Sequence, residues 1–310
     1  MTEPSVLAEV AGGVAKLTLN RPRAINALTP EMLDLLARHL TAWSGDESVR
    51  EVVLAGAGER GFCAGADVKA LRAHLAAGGV SGDFFKQEYA LDAFIAGYSK
   101  PVTALMHGIV MGGGLGLTAH ARRRVLSSDS RLAMPETIIG LYPDVGALYE
   151  LSRAPGELGT HAALTGLAFG PADGLLLGLA DECAGDPGAG VLSGARGWID
   201  ECYAGDDPVA IVRRLEGHAD PDARAAGALL RQRAPFAVWV TLVALRRAAR
   251  MGSVADVLAQ DLLIAPRMAE RPDFAEGVRA QVVDKDRNPR WQHARIEDVD
   301  AAEVADVFVP

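Results

Sequence analysis

Apolar and polar positions alternate at the start of the chain, over residues 6–10 and again over 14–19, with Gly12-Gly13 between the two runs. A period of two on either side of a glycine pair predicts a β-hairpin. Thr29 then precedes Pro30 and an apolar-periodic run to Trp43, the pattern of an N-cap, a first-turn proline and a helix. Residues 51–55 and 102–106 are apolar runs of strand length. Residues 68–77 behind Asp67, and 83–98, read as helices, the second with Phe84, Glu88 or Tyr89, and Phe94-Ile95 at helical spacing. From Val191 onward the strand signals fade. Segments 208–214, 221–233, 238–250, 253–269 and 273–281 predict helices, with Val238, Leu242, Leu245 and Ala249 as a buried stripe.

The pattern breaks most informatively between Pro101 and Gly146. An apolar strand ends at His107-Gly108, and Gly112-Gly113-Gly114 leads into a helix-compatible segment from Leu115. Three consecutive glycines remove every side chain from one turn. Bare backbone N–H groups at a helix start can then approach a phosphate or a developing oxyanion. Further on, Glu136 and Asp144 stand among Met, Ile, Leu, Tyr, Pro and Val. A carboxylate in such surroundings is costly to bury and is a candidate for a raised pKa and acid/base work. Each feature also has an ordinary structural reading: a GGG turn can simply pack tightly, and Asp144 can cap a helix over 145–151.

Composition narrows the class. The chain has 310 residues, 49% of them hydrophobic and 23% charged, which fits an ordinary globular protein. A net charge of −9 argues against nucleic acid as a general partner. No apolar run predicts a membrane span, and the start of the chain lacks a basic region followed by an apolar one. Cys63, Cys183 and Cys202 are too scattered for a disulfide framework or a zinc site, so a reducing, cytoplasmic setting is expected, with no metal.

Two separated motifs, Gly61-Phe62-Cys63-Ala64-Gly65-Ala66-Asp67 and Pro135-Glu136-Thr137-Ile138-Ile139-Gly140-Leu141-Tyr142-Pro143, flank the glycine turn in the order that resembles the enoyl-CoA hydratase/isomerase (crotonase) superfamily. Hydratases of that superfamily carry two catalytic glutamates. Here the first falls at Gly116 and the second at Glu136, while Asp144 stands where hydratases have a small residue. The runs HGIVMGGGLGL, FFKQEY and MPETIIGLYPDVG, with a later DFAEGVRA from Asp273 and Asp284-Lys285-Asp286, are similar to the 3-hydroxyisobutyryl-CoA hydrolase family. The likeness covers nearly the whole chain. It departs over residues 186–230, and at Asp261-Leu262-Leu263 an acid is kept while the family's ring and cation are lost.

The resemblance implies an α/β fold, a ββα spiral core over residues 1–190 with a C-terminal helical region over 191–310 packed on it. It implies hydrolysis of a short 3-hydroxyacyl-CoA thioester, best 3-hydroxyisobutyryl-CoA, in valine degradation, with CoA as part of the substrate and no separate cofactor. The N–H groups of Ala66 and Gly113 would form the oxyanion hole. Glu136 would be nucleophile or general base, Asp144 would hold the 3-hydroxyl or move protons, and Glu88 would complete the acyl pocket or orient the pair. Arg23, Ala24, Ala64 and Lys69 would border CoA, although Arg21, Arg23 and Lys69 also read as solvated. A homotrimer is the common superfamily assembly. A hydratase or isomerase reaction, or a non-catalytic CoA-binding role, would be the alternatives.

Overall fold

The computed structural model describes residues 3–309. The predicted hairpin forms from β1 (Val6–Ala11) and β2 (Val14–Leu19), antiparallel with Val6 opposite Leu19. The chain then alternates strand and helix: α1 (Pro30–Ser44), β3 (Glu51–Gly56), α2 (Val68–Ala76), α3 (Gly82–Ala96), β4 (Val102–Met106), β5 (Ile109–Met111), α4 (Gly113–Ala119), β6 (Arg123–Ser127) and β7 (Arg131–Ala133). After a 3-10 turn over Glu136–Ile139 follow α5 (Ala147–Leu151), α6 (Leu158–Thr165), α7 (Pro171–Leu176) and β8 (Glu182–Ala184). β2, β3, β4, β6 and β8 pair in parallel, giving a six-stranded sheet in the order β1-β2-β3-β4-β6-β8. At Gly108, with φ of +49°, the chain leaves that sheet, and β5 pairs with β7 in a second, two-stranded one. That bend turns the glycine run back over the core.

The caps explain the helix starts. Thr29 accepts from the Met32 N–H with Pro30 next to it, and Asp67 accepts from Ala70. Each satisfies a donor that the first turn leaves free. In α3 the buried face is Phe85, Glu88, Tyr89, Asp92 and Ile95 rather than the phase set by Phe84 and Phe94, which are only half-buried. Two acids on the inner face blur the apolar stripe that the sequence displays.

The C-terminal region is helical: α8 (Leu192–Cys202), α9 (Pro208–Gly217), α10 (Pro221–Leu230), α11 (Pro235–Ala248), α12 (Val254–Ala269), α13 (Pro272–Val278), a π-turn over Arg279–Val283, and α14 (Ala301–Asp306). α8 has no counterpart in the sequence reading, and the stripe on α11 ends at Ala248, since Ala249 is exposed. Ser253 and Asp256 form a capping box for α12. This region is tied to the core by close backbone approach: a Cβ at Gly140 would lie 2.5 Å from the Asp273 backbone, and one at Gly277 would collide with Ile139. Glycine at both places lets α13 sit directly on the turn that carries Glu136. No single described helix is long and apolar enough to cross a membrane.

Candidate active site

Gly113 is the first residue of α4, so its N–H belongs to the helix donors with no partner within the helix. Across from it, residues 63–66 run beside β5, bridged through Cys63 and Val110, and a Cβ at Gly65 would lie 3.0 Å from the Met111 carbonyl and 3.3 Å from the Gly113 nitrogen. The two glycine-bearing turns therefore lie against each other. Ala66 and Gly113 both face a cavity of about 250 Å³, whose other walls include Ala64, Glu88, Glu136 and Asp144. Phe85, Ile138, Leu141, Phe274 and Val282 supply its apolar lining. Segments from both halves of the chain thus close one small, greasy, acid-lined space.

Three carboxylates of the cluster, Glu136, Glu88 and Asp92, rest on glycines. A Cβ at Gly112 would lie 2.9 Å from Glu136 Oε1, one at Gly113 would collide with Glu88 Oε1, and one at Gly116 would lie 2.8 Å from Asp92 Oδ2 and 2.7 Å from Val145 Cβ. Gly116 is therefore more than the absence of a glutamate: its missing side chain is the space that Asp92 and Val145 fill. Glu88, Asp92, Glu136 and Asp144 are all buried, none more than 6% exposed. Among the described residues, no lysine or arginine offsets their charge.

Burial is accordingly the leading cause that pushes Glu88, Asp92 and Glu136 well above the usual carboxylate range, with repulsion from Asp144 adding to each. Asp144 is pushed up only to about 6, because the Tyr89 hydroxyl donates to its Oδ2 at 2.5 Å and holds it down against burial. It is the member of the cluster best able to carry the negative charge.

Asp144 does not cap α5, which begins at Ala147 behind Gly146. Its loop is held instead by Asp261 on α12, whose Oδ1 accepts from the Tyr142 hydroxyl at 2.7 Å and whose Oδ2 accepts from the Gly146 N–H at 2.8 Å. The acid kept at position 261 is thus a tether. Val145 between them has φ of +53°, a strained conformation for a β-branched residue, and its carbonyl accepts from His120 Nε2 at 3.1 Å.

Not every residue picked from the sequence joins the cavity. Arg23, Ala24 and Lys69 are exposed and do not line it. Arg21 is engaged with the Ala27 carbonyl and with Asp67 at 3.2 Å. The helix that carries Lys69 does line a second hollow of about 330 Å³ through Ala70 and His74, and the two hollows share Leu71. Asp92 escaped the sequence reading, although its spacing of four from Glu88 placed it on the same helix face. Among the described residues, no group of three or more His, Cys, Asp or Glu is arranged to hold a metal ion.

Comparison with known proteins gives a consistent assignment of family. The enoyl-CoA hydratase/isomerase model matches residues 14–192 and 182–308. The chain is 33% identical to the mitochondrial 3-hydroxyisobutyryl-CoA hydrolase of Gallus gallus over 98% of this chain and 89% of the relative. It is 34% identical to 3-hydroxyisobutyryl-CoA hydrolase 1 of Arabidopsis thaliana over 99% and 92%. Among solved structures it superposes with a TM-score of 0.94 on a carnitinyl-CoA dehydratase from Mycobacterium thermoresistibile, 43% identical over 99% of this chain and 96% of that one. A second superposition, also at 0.94, is with an enoyl-CoA hydratase from Rhodobacter sphaeroides, 36% identical over 99% and 97%. The cytoplasmic expectation is overturned, since the relatives from Gallus gallus and Rattus norvegicus are named as mitochondrial; cysteine count reports a reducing environment and cannot separate one reducing compartment from another. With matched segments spanning almost its whole length, and relatives aligned over nearly all of theirs, the chain belongs to the enoyl-CoA hydratase/isomerase family.

Proposed function

We propose that the chain hydrolyses a short 3-hydroxyacyl-CoA thioester, with 3-hydroxyisobutyryl-CoA as the preferred substrate, in the breakdown of valine. The thioester oxygen lies between the N–H groups of Ala66 and Gly113, where each such donor stabilises the developing oxyanion by about 3 kcal/mol. Glu136 and Asp144 share one negative charge and one proton. The charged member attacks the carbonyl carbon or takes a proton from water; the protonated member gives its proton to the departing sulfur. Glu88 meets the acyl end. CoA enters as part of the substrate and leaves as the free thiol, and Ala64, Ala24, Arg23 and Lys69 border its path. We also propose assembly as a homotrimer.

The observation that carries this reading is the meeting of Glu136, Asp144 and Glu88 in one cavity with two free backbone donors, in a chain whose position 116 has no side chain. The test is thiol release from 3-hydroxyisobutyryl-CoA beside crotonyl-CoA hydration, with Glu136→Gln as control. Thiol release lost in the variant supports the reading, and hydration without thiol release overturns it. After a single turnover in heavy-oxygen water, label in the carboxylate of Glu136 or Asp144 identifies that group as the one that attacked.

A second reading, hydration or dehydration of an enoyl-CoA, is favoured by the names of the two superposed structures. It needs a second proton-transferring group in place of a side chain at Gly116, and the same pair of assays distinguishes it.

A further inference from the structure

Asp92 is fully buried, and neither of its carboxylate oxygens has a hydrogen-bond partner. Glu88 Oε1, one helical turn earlier on the same face of α3, is likewise buried and unpartnered. Unpaired buried polar atoms are costly, and two such carboxyls side by side have one inexpensive remedy, a proton held between them. The groups that bear on Asp92 are Glu88 on its own helix, Asp144 from the loop before α5 and Asp261 from α12, and all are acids. The tyrosines beside them, Tyr89 and Tyr142, already donate to Asp144 and Asp261. His120 is held neutral by burial, its pKa drawn down to about 4, and gives no counter-charge. Among the described residues, none donates to Asp92. Position 116 is glycine, so the space that proton-bearing group needs stays open.

We propose that Asp92 is a positioning residue: a neutral carboxylic acid that donates its proton to Glu88 Oε1 and thereby fixes the Glu88 carboxyl against the Gly113 floor of the cavity. Asp92 does not line the cavity and acts only through Glu88. The inference rests on the functional reading in so far as Glu88 receives the acyl end of the substrate.

The experiment compares the parent with Asp92→Asn and Asp92→Ala, all carrying isotopically labelled aspartate for infrared spectroscopy, with steady-state thiol release from 3-hydroxyisobutyryl-CoA. In the parent at neutral pH the labelled spectrum contains the carbonyl stretch of a protonated buried acid, and Asp92→Asn removes it. The amide still donates, so Asp92→Asn keeps both kcat and KM within about threefold of the parent, while Asp92→Ala raises KM about tenfold with kcat changed less. An infrared band identical in parent and Asp92→Asn overturns the proposal, as does a folded Asp92→Ala with the parental KM, or Asp92→Asn as damaging as Asp92→Ala. If Asp92→Ala does not fold, the infrared and kinetic results for Asp92→Asn still decide. If the parent releases no thiol from any acyl-CoA, the functional reading fails while the infrared comparison continues to judge Asp92.

Discussion

Two acidic clusters in this molecule deal with their charge in opposite ways. Near the C-terminus, Glu276, Asp284 and Asp286 gather on one arginine: Arg279 donates to Glu276 at 2.8 Å, to Asp284 at 2.7 Å and to Asp286 at 2.6 Å. Water reaches that cluster and a cation sits at its centre. Both Glu276 and Asp286 are held below their usual range by the hydrogen bonds from Arg279. Around Asp144 no cation among the described residues offsets the charge, and burial drives the carboxyls upward. A fold that places acids together merely to make a stable surface solves the problem as Arg279 does. Leaving it unsolved in the interior costs stability and keeps protons mobile at neutral pH, which is what acyl transfer requires.

The largest break in this comparison is chemical. Glu136→Gln keeps shape and removes a titrating group, and kcat for thiol release is expected to fall by at least about a hundredfold. CoA binding, measured by calorimetry with a non-hydrolysable thioester analogue, stays near the parental value. Loss of binding in parallel with kcat would show that Glu136 holds the fold of the cavity.

Next comes stability. A rise in the Asp144 pKa from 3.8 to about 6 on folding means that the folded chain binds more protons than the unfolded one in that window, so this group's contribution falls as pH rises through it. Asp144→Asn removes the effect. Urea unfolding at pH 7 is expected to show the inactive variant more stable by up to roughly 3 kcal/mol, the gain vanishing toward pH 4. In the active parent, kcat/KM rises with pH through about 6 as Asp144 ionises. A parent whose stability does not fall over that range would mean the carboxyl is solvated.

Gly116→Ala tests the seat rather than the charge. The added methyl meets both Val145 Cβ at 2.7 Å and Asp92 Oδ2 at 2.8 Å, and overpacking of this kind costs about 1–3 kcal/mol. A glutamate at 116 is therefore not expected to restore hydratase chemistry, because its first carbon already displaces Asp92. Unchanged stability would make the glycine incidental.

The sequence carried the core elements and the position of the site because their signals are local. Thr29 with Pro30, Asp67, and the Gly12-Gly13 pair each specify a cap or a turn within a few residues. The PE and PDVG motifs placed Glu136 and Asp144 on one loop system. What was not legible depended on partners distant in sequence. Asp261 tethers a loop more than a hundred residues earlier through the Gly146 N–H, and nothing in Asp261-Leu262-Leu263 says so. Asp92 was hidden by its own chemistry, because an acid on a helix is expected to face water and its presence shifts the apparent phase of the stripe. Arg23 and Lys69 had the charge for phosphates, but charge without burial leaves position open.

The smallest effect is expected where charge is already paired. In Arg279→Gln the three acids lose their cation, yet Asp284 and Asp286 remain about half-exposed and are stabilised by water and salt instead. The melting temperature is expected to drop slightly at low ionic strength and hardly at all at high. Arg279 also opens the π-turn that places Gln281 and Val282 on the cavity wall, and it anchors that turn by donating to the Asn288 carbonyl at 3.2 Å. Loosening it relaxes the wall without touching a carboxylate of the site, so KM for the acyl-CoA is expected to rise a few-fold while the acid limb of the pH profile stays at about 6. A displaced limb would mean that the two acidic clusters are electrically linked, and that the surface pairing helps set the protonation of the interior.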